Sequence, residues 1–243
     1  VAEVFKTLSS LAPGRIDFGV GRAPGGDDWA IYALSEGRRP HLHDLYDKIE
    51  TALKFISDEP MDHTIYGRVL ASPYNVQLPE AWLLGSTGNS AVAAGKMGLG
   101  YSYAQFFNGY MNEEVFEAYR KNFQPSKYME KPEIIVSYFV TVADTKEEAE
   151  YEARPADIHR LLFMKGKIIQ YMTPEEAKDY PLTELDKMQI QENRKLHFVG
   201  TAKEVADRLL QEQETYKFDE AMICSIPHSQ KARLNVYRLL AKE

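Results

Sequence analysis

Apolar residues recur along this chain in two alternating rhythms, one suited to strands and one to helices. Val4, Phe5 and Leu8 repeat at helical spacing within Val1 to Ser10, with no capping residue ahead of them. Ala12-Pro13-Gly14 signals a turn, and Arg15 to Gly21 alternates as a strand does. From His41 to Phe55 and just beyond, Leu42, Leu45, Ile49, Leu53 and Ile56 fall three or four residues apart, which predicts an amphipathic helix. A Pro-containing connection follows from Ser57 to Pro79. Ala81-Trp82-Leu83-Leu84 then reads as a short apolar strand, Gly85-Ser86-Thr87-Gly88 as a tight turn, and Ser90 to Met97 as an Ala-rich helix.

The same sequence of signals continues downstream. Tyr101 to Phe107 predicts a strand, and Glu113 to Phe123 a helix with Val115, Phe116 and Tyr119 on one side. Ile134 to Val142 is the strongest strand signal, because it is rich in β-branched residues, and Asp144-Thr145 can cap a helix from Lys146. Met164 to Thr183 is irregular and predicts a long loop with short helical pieces. Thr201 caps a helix reaching about Tyr216, Glu220 to Ile226 reads as a buried strand, and Ser229 to Ala241 forms a closing helix. Five strand-loop-helix units are counted this way. Apolar strands that fail to alternate cleanly suit a parallel sheet covered by helices, so the fold class is α/β. A closed barrel and an open doubly wound sheet both fit the pattern.

Composition narrows the function classes. The chain of 243 residues is 44% hydrophobic and 27% charged, an ordinary soluble α/β profile that a single domain can satisfy. Its formal net charge of −7, without a basic stripe, argues against nucleic-acid binding. The single cysteine, Cys224, excludes an internal disulfide framework and a thiolate metal cluster, and fits a reducing cytoplasmic setting. No apolar stretch is long enough to predict a membrane span.

Two turns can carry chemistry. Gly19 to Asp27 places Arg22 among glycines at the C-terminal end of the first predicted strand, where a forked donor and a close backbone suit an anion. The glycine spacing matches neither the dinucleotide fingerprint nor a P-loop, and a plain turn with a solvated arginine is the competing reading. Gly85-Ser86-Thr87-Gly88-Asn89-Ser90 leads from a strand into a helix, where hydroxyls and free N–H groups favour an anion. Simple helix capping by Ser86 or Thr87 explains the same residues. Neighbouring strand ends of a parallel sheet face one crevice, so one ligand can touch both turns.

Other candidates read as structural. Of the six histidines, His41, His43, His63, His159, His197 and His228, only His41-x-His43 has a metal-like spacing, at a helix start where such neighbours point apart, and most are assigned to surface or capping positions. Asp27-Asp28 reads as a helix-dipole partner and Cys224 as an inert core residue. Trp29, Tyr32, Tyr101, Tyr103, Phe106 and Phe107 are assigned to core or loop anchoring, with the walling of a flat ring as the alternative. No triad or paired-acid site is visible.

Leu11 to Gly25 resembles the "sl..GR.dlGlGRapG" segment of the bacterial luciferase-like flavin monooxygenases. Pro79 to Ala91, continuing through Ala94 to Gly98-Leu99-Gly100-Tyr101, resembles that family's "PpvWllGss..SA.lAa..Gl.y" segment. Phe198-Val199-Gly200-Thr201 with Val205, Leu209 and Asp219-Glu220 is similar to its closing "vGtpe.V...l......de" stretch.

The resemblance implies a (β/α)8 TIM barrel as a single domain over residues 1–243, in which reduced FMN and O2 oxidise a small organic substrate. A separate flavin reductase would supply the FMN, and a homo-oligomer is left open. Carried over by motif, Arg22 pairs with the FMN phosphate and Gly21 lies close to the flavin, while Gly85, Ser86, Thr87 and Ser90 complete the phosphate site. Family members have a further N-terminal section with about the first three strands and an active-site histidine motif, which has no counterpart here. The expectation is therefore an N-terminally incomplete barrel with catalytic residues unassigned. A non-catalytic flavin-binding relative and a deazaflavin-dependent hydride-transfer enzyme stand as alternatives.

Overall fold

The computed structural model describes residues 1–22, 26–38, 42–61, 65–167 and 169–243. Ala23, Pro24 and Gly25 of the first glycine-rich turn, together with His41 and His63, lie outside the described residues. The chain divides into two compact units, Val1–Ser102 with Glu114–Ile134 and Tyr103–Glu113 with Ile135–Glu243.

The first unit opens with α1 (Ala2–Leu11), which buries Ala2, Lys6 and Ser9. The expected apolar face is thus turned around, since Val4 and Leu8 are exposed while Phe5 packs edge-on against Phe18 with ring centroids 4.8 Å apart. The fully buried Lys6 ammonium explains this orientation. It pairs with Asp58, donates to the carbonyls of Ala71 at 2.7 Å and Phe55 at 3.3 Å, and lies 5.0 Å from the Tyr74 ring. Those partners come from other segments of the unit, so they outweigh the modest gain from burying Val4 and Leu8.

After α1 the chain enters β1 (Asp17–Gly21), whose alternating burial places Phe18 inside. The short helix α2 (Asp28–Leu34) was not legible as a helix in the apolar pattern, because none of its residues is buried. It is started by Asp27, whose carboxylate accepts from the N–H groups of Trp29 at 2.8 Å and Ala30 at 2.9 Å. Helix α3 (Leu45–Ile56) buries Ile49, Leu53 and Ile56, the predicted face, but begins four residues later than the periodicity suggested. Strand β2 (Glu80–Gly85) runs parallel to β1, and its neighbour β3 (Gly100–Ala104) follows after α4 (Gly88–Lys96).

The expected strand to Phe107 stops at Ala104, because Gln105–Asn108 turns into the short helix α5, ended by Gly109 at a positive φ of 71°. Helix α6 (Glu113–Asn122) buries Val115, Phe116 and Tyr119 as read from the sequence. Tyr119 stacks on Tyr101 at 5.6 Å and donates to the Leu99 carbonyl at 3.0 Å, which ties the helix to the start of β3.

In the second unit, β4 (Ile134–Ala143) is buried along almost its whole length, as a central parallel strand should be. Helix α7 (Lys146–Met164) starts at Thr145, whose hydroxyl accepts from the Glu148 N–H at 3.1 Å. The irregular region holds α8 (Pro174–Lys178), and α9 (Glu184–Asn193) follows. Strand β5 (His197–Thr201) leads into α10 (Ala202–Tyr216) through a capping box of Thr201 and Glu204, and β6 (Glu220–Cys224) precedes α11 (Gln230–Leu240).

Both β5 and β6 are parallel to β4. Strand β5 pairs along Phe139 to Ala143 and β6 along Ile135 to Phe139. The described residues therefore hold six strands rather than five, the overlooked one being β5, whose apolar run is only Phe198-Val199 between His197 and Gly200. A second correction concerns β6, which is half-exposed rather than buried.

Candidate functional site

The parallel register brings the two predicted turns together within the first unit. Gly21 lies opposite Leu84, so the chain leaves β1 at Arg22 and leaves β2 at Gly85-Ser86 at the same level of the sheet. Arg22 is exposed and makes no ion pair with any described residue. Beside it, α4 begins with Thr87 as N-cap, in extended conformation, and closes a capping box with Ser90. Thr87 Oγ1 accepts from the Ser90 N–H at 3.5 Å, and the Thr87 N–H donates to Ser90 Oγ at 3.3 Å.

Ser90 is drawn inward by this arrangement. Its hydroxyl donates to the Thr87 carbonyl at 2.8 Å and lies 3.0 Å from the Tyr101 hydroxyl, which itself donates to the Thr87 carbonyl at 3.2 Å. Gly85 has a packing reason to lack a side chain, since an added Cβ would lie 2.2 Å from Ser90 Oγ and 2.5 Å from Ser90 Cβ. A Cβ on Gly21 would stand 3.2 Å from Leu84 Cβ, whereas one on Gly88 would meet nothing within 4 Å. Among the described residues the space beside Gly88, at the positive end of α4, is therefore open. Gly21, Arg22, Gly85, Ser86, Thr87 and Ser90 all lie at these two adjacent strand ends, with Ser90 and Gly85 shaping the turn and Arg22 exposed beside it.

The second unit contains a cavity of about 880 Å³ that the sequence did not announce. Its wall includes Phe107 of α5, Phe139 of β4, Phe163 and Met164 of α7, and Leu196 and Ile226 beside β5 and β6. His159, Arg160, Asn193, His197 and Ser225 place polar groups on the same wall. Phe139 is the lateral partner of both His197 and Cys224, so these three residues form one row across the strands.

Two histidines depart from the expected surface role. His197 is buried, and its Nε2 shares a 2.8 Å hydrogen bond with Thr141 Oγ1. Burial first, and then the nearby positive charges of Arg194 and Arg160, pull its pKa down to about 3, so the ring is neutral at physiological pH. His159 is half-buried with its ring 5.4 Å from that of Tyr171, and burial lowers its pKa as well. Tyr171 donates to the Ile226 carbonyl at 2.7 Å, and burial pushes its own pKa up. Asp157 is gripped by Arg194 through two contacts of 2.7 Å. Two polar atoms of the wall have no hydrogen-bond partner among the described residues, Asn193 Nδ2 and Ser225 Oγ.

The remaining aromatic candidates separate. Tyr101 and Tyr103 are core residues, Trp29 and Tyr32 are exposed on α2, and Phe106 packs on Phe139 at 4.5 Å. Cys224 is half-buried and its thiol is pushed up by burial. Among the described residues no group of three His, Cys, Asp or Glu side chains could hold a metal ion, and no helix is long and apolar enough to cross a membrane.

Comparison with known proteins gives this geometry a family. The luciferase-like monooxygenase family matches residues 1–217. YceB of Bacillus subtilis (strain 168) is 36% identical over 243 residues, 100% of this chain and 73% of that protein. N-acetyl-S-alkylcysteine monooxygenase of the same organism is 32% identical over 227 residues, 92% of this chain and 66% of that one. The crystal structure of apo-MsnO8 superposes with a TM-score of 0.83 at 30% identity, covering 99% of this chain and 72% of that chain.

The chain belongs to the luciferase-like monooxygenase family, a class of oxidoreductases, and its α/β architecture is of the luciferase-like TIM-barrel type. At the level of fold alone, the oxygenating constituent of 3,6-diketocamphane monooxygenase from Pseudomonas putida, solved with FMN, has a TM-score of 0.59 at 17% identity, covering 98% of this chain and 72% of that chain. An F420-dependent secondary alcohol dehydrogenase bound to an F420-acetone adduct has a TM-score of 0.59 at 14% identity, with the same coverage of 98% and 72%. Proteins with this fold thus hold either kind of flavin.

Proposed function

We propose that this chain is an FMN-dependent monooxygenase whose first unit holds the cofactor phosphate, the 243 residues serving within one luciferase-like barrel domain. The observation that supports this reading is the meeting of Arg22 and the N-terminus of α4 at adjacent parallel strand ends. The residues fit a phosphate. Arg22 offers a guanidinium with no acidic partner among the described residues, and the N–H groups that open α4 face the space that Gly88 leaves clear.

In this account Arg22 binds and orients the dianion, and Ser86 and the Thr87 backbone line its approach. The Thr87-Ser90-Tyr101 network keeps the turn rigid, so that the helix end keeps its aim. Bound reduced FMN would supply the electrons that activate O2 toward a small organic substrate, with a separate reductase renewing the reduced flavin. The protein's own contribution is then positioning and the exclusion of water. No acid or base is assigned to this chain's residues.

The test is to titrate the purified protein with FMN and with F420, and then to supply reduced FMN and O2 with a panel of organic substrates that includes thioethers. Binding of FMN with oxygen-dependent formation of an oxidised product is expected. Binding of F420 with no FMN binding would overturn the cofactor assignment, and FMN binding with no product from any substrate would point to a flavin-binding protein without oxygenase activity.

A further inference from the structure

The cavity of the second unit combines an apolar wall with a guanidinium, Arg160, that no described carboxylate pairs with. Phe139, Phe163, Met164 and Leu196 reach it from a strand, a helix and a turn, and Phe163 and Met164 are 48% and 58% exposed. Large apolar side chains left open around a concave space of about 880 Å³ mark a small-molecule site more often than a plain surface.

The positive charge on this wall has no acidic partner among the described residues. Asn193 Nδ2 and Ser225 Oγ, in residues only 7% and 1% exposed, lie beneath the wall with no hydrogen-bond partner among the described residues. Arg160 is half-buried, spends a single 3.3 Å hydrogen bond on the Phe106 carbonyl and has no ion-pair partner among the described residues. Asp157, the acidic group on the wall, is already taken by Arg194, and Arg233 adds a second positive charge at the exposed rim. The wall therefore offers, beside an apolar face, a guanidinium without an acidic partner among the described residues.

We infer that this cavity is a binding site for a small amphipathic organic anion, a carboxylate held by Arg160 with its apolar body against Phe139, Phe163 and Leu196. The inference stands on the second unit alone and does not depend on the flavin assignment.

Octanoate and its neutral counterpart octanamide test it by titration of the whole protein, followed by calorimetry and by the NMR shift of the Met164 methyl group. The Met164 signal is assigned with Met164→Leu, a change at an exposed position. Octanoate should bind at least tenfold more tightly than octanamide and move the Met164 signal. In Arg160→Gln that preference should vanish while octanamide binding stays the same. Equal affinity for the two probes, a preference that survives Arg160→Gln, or an unmoved Met164 signal in the unaltered protein would each overturn the inference. The last readout holds even if the Arg160 variant fails to fold.

Discussion

Replacing Gly85 by alanine should damage the turn before α4 far more than a single methyl group suggests. The new Cβ would lie 2.2 Å from Ser90 Oγ and 2.5 Å from Ser90 Cβ. A hydroxyl can rotate aside, but a Cβ moves only with its backbone, so the first turn of α4 must shift. Overpacking of this kind costs about 1–3 kcal/mol. Loss of the box between Thr87 and Ser90 adds about 1 kcal/mol, because Ser90 Oγ would leave the Thr87 carbonyl at 2.8 Å and the Tyr101 hydroxyl at 3.0 Å. Gly85→Ala should therefore lose roughly 2–4 kcal/mol in urea unfolding and weaken FMN binding along with it. Ser90→Gly alone should lose about 1–2 kcal/mol, from the cap and from glycine in a helix. The double variant removes the clash and loses the box only once, so its loss should be close to that of Ser90→Gly alone, short of the sum by about 2–4 kcal/mol. Losses that simply add would show that Gly85 is not needed to make room for Ser90.

Three further outcomes are expected. Lys6→Met leaves Asp58 and the carbonyls of Phe55 and Ala71 without their donor and should destabilise the protein by about 3 kcal/mol in urea titration, Asp58 being only partly exposed. Burial raises the Asp58 carboxyl, but the Lys6 hydrogen bond and the Asn75 N–H hold it below its ordinary value, so the stability this pair provides should be present above about pH 4 and be lost as acid protonates Asp58. His197, with its folded pKa near 3, contributes stability that is full above its unfolded pKa near 6.5 and fades as pH falls below it. Unfolding at pH 5 should thus be easier than at pH 7 by about 2 kcal/mol from this residue, and His197→Gln should flatten that slope.

Much of this was legible in the sequence wherever a segment carries its own signal. Strand β4 is buried on both faces and announces itself by β-branched residues, while α3 and α6 bury the side chains their spacing selects. The two turns could be brought together because parallel strands share an end. What escaped depends on contacts distant in the chain. Lys6 reverses the face of α1 through partners at Asp58 and Ala71, which no local period encodes. Strand β5 exists because β4 offers it an edge, and His197 became a core residue with it. Helix α2 buries nothing and is held by the Asp27 cap, so its apolar residues carry no stripe. The cavity of the second unit gathers Phe107, Phe139, Arg160, Asn193 and Ser225 from separate segments, each unremarkable in its own place.

FMN and riboflavin differ only in the phosphate, so comparing their binding tests the proposed phosphate cradle around Arg22 most directly. FMN should bind the unaltered protein more tightly than riboflavin. Arg22→Ala should lower FMN affinity by about 1.5–3 kcal/mol while leaving riboflavin affinity unchanged. Equal affinities for the two flavins, or an FMN affinity indifferent to Arg22, would contradict it.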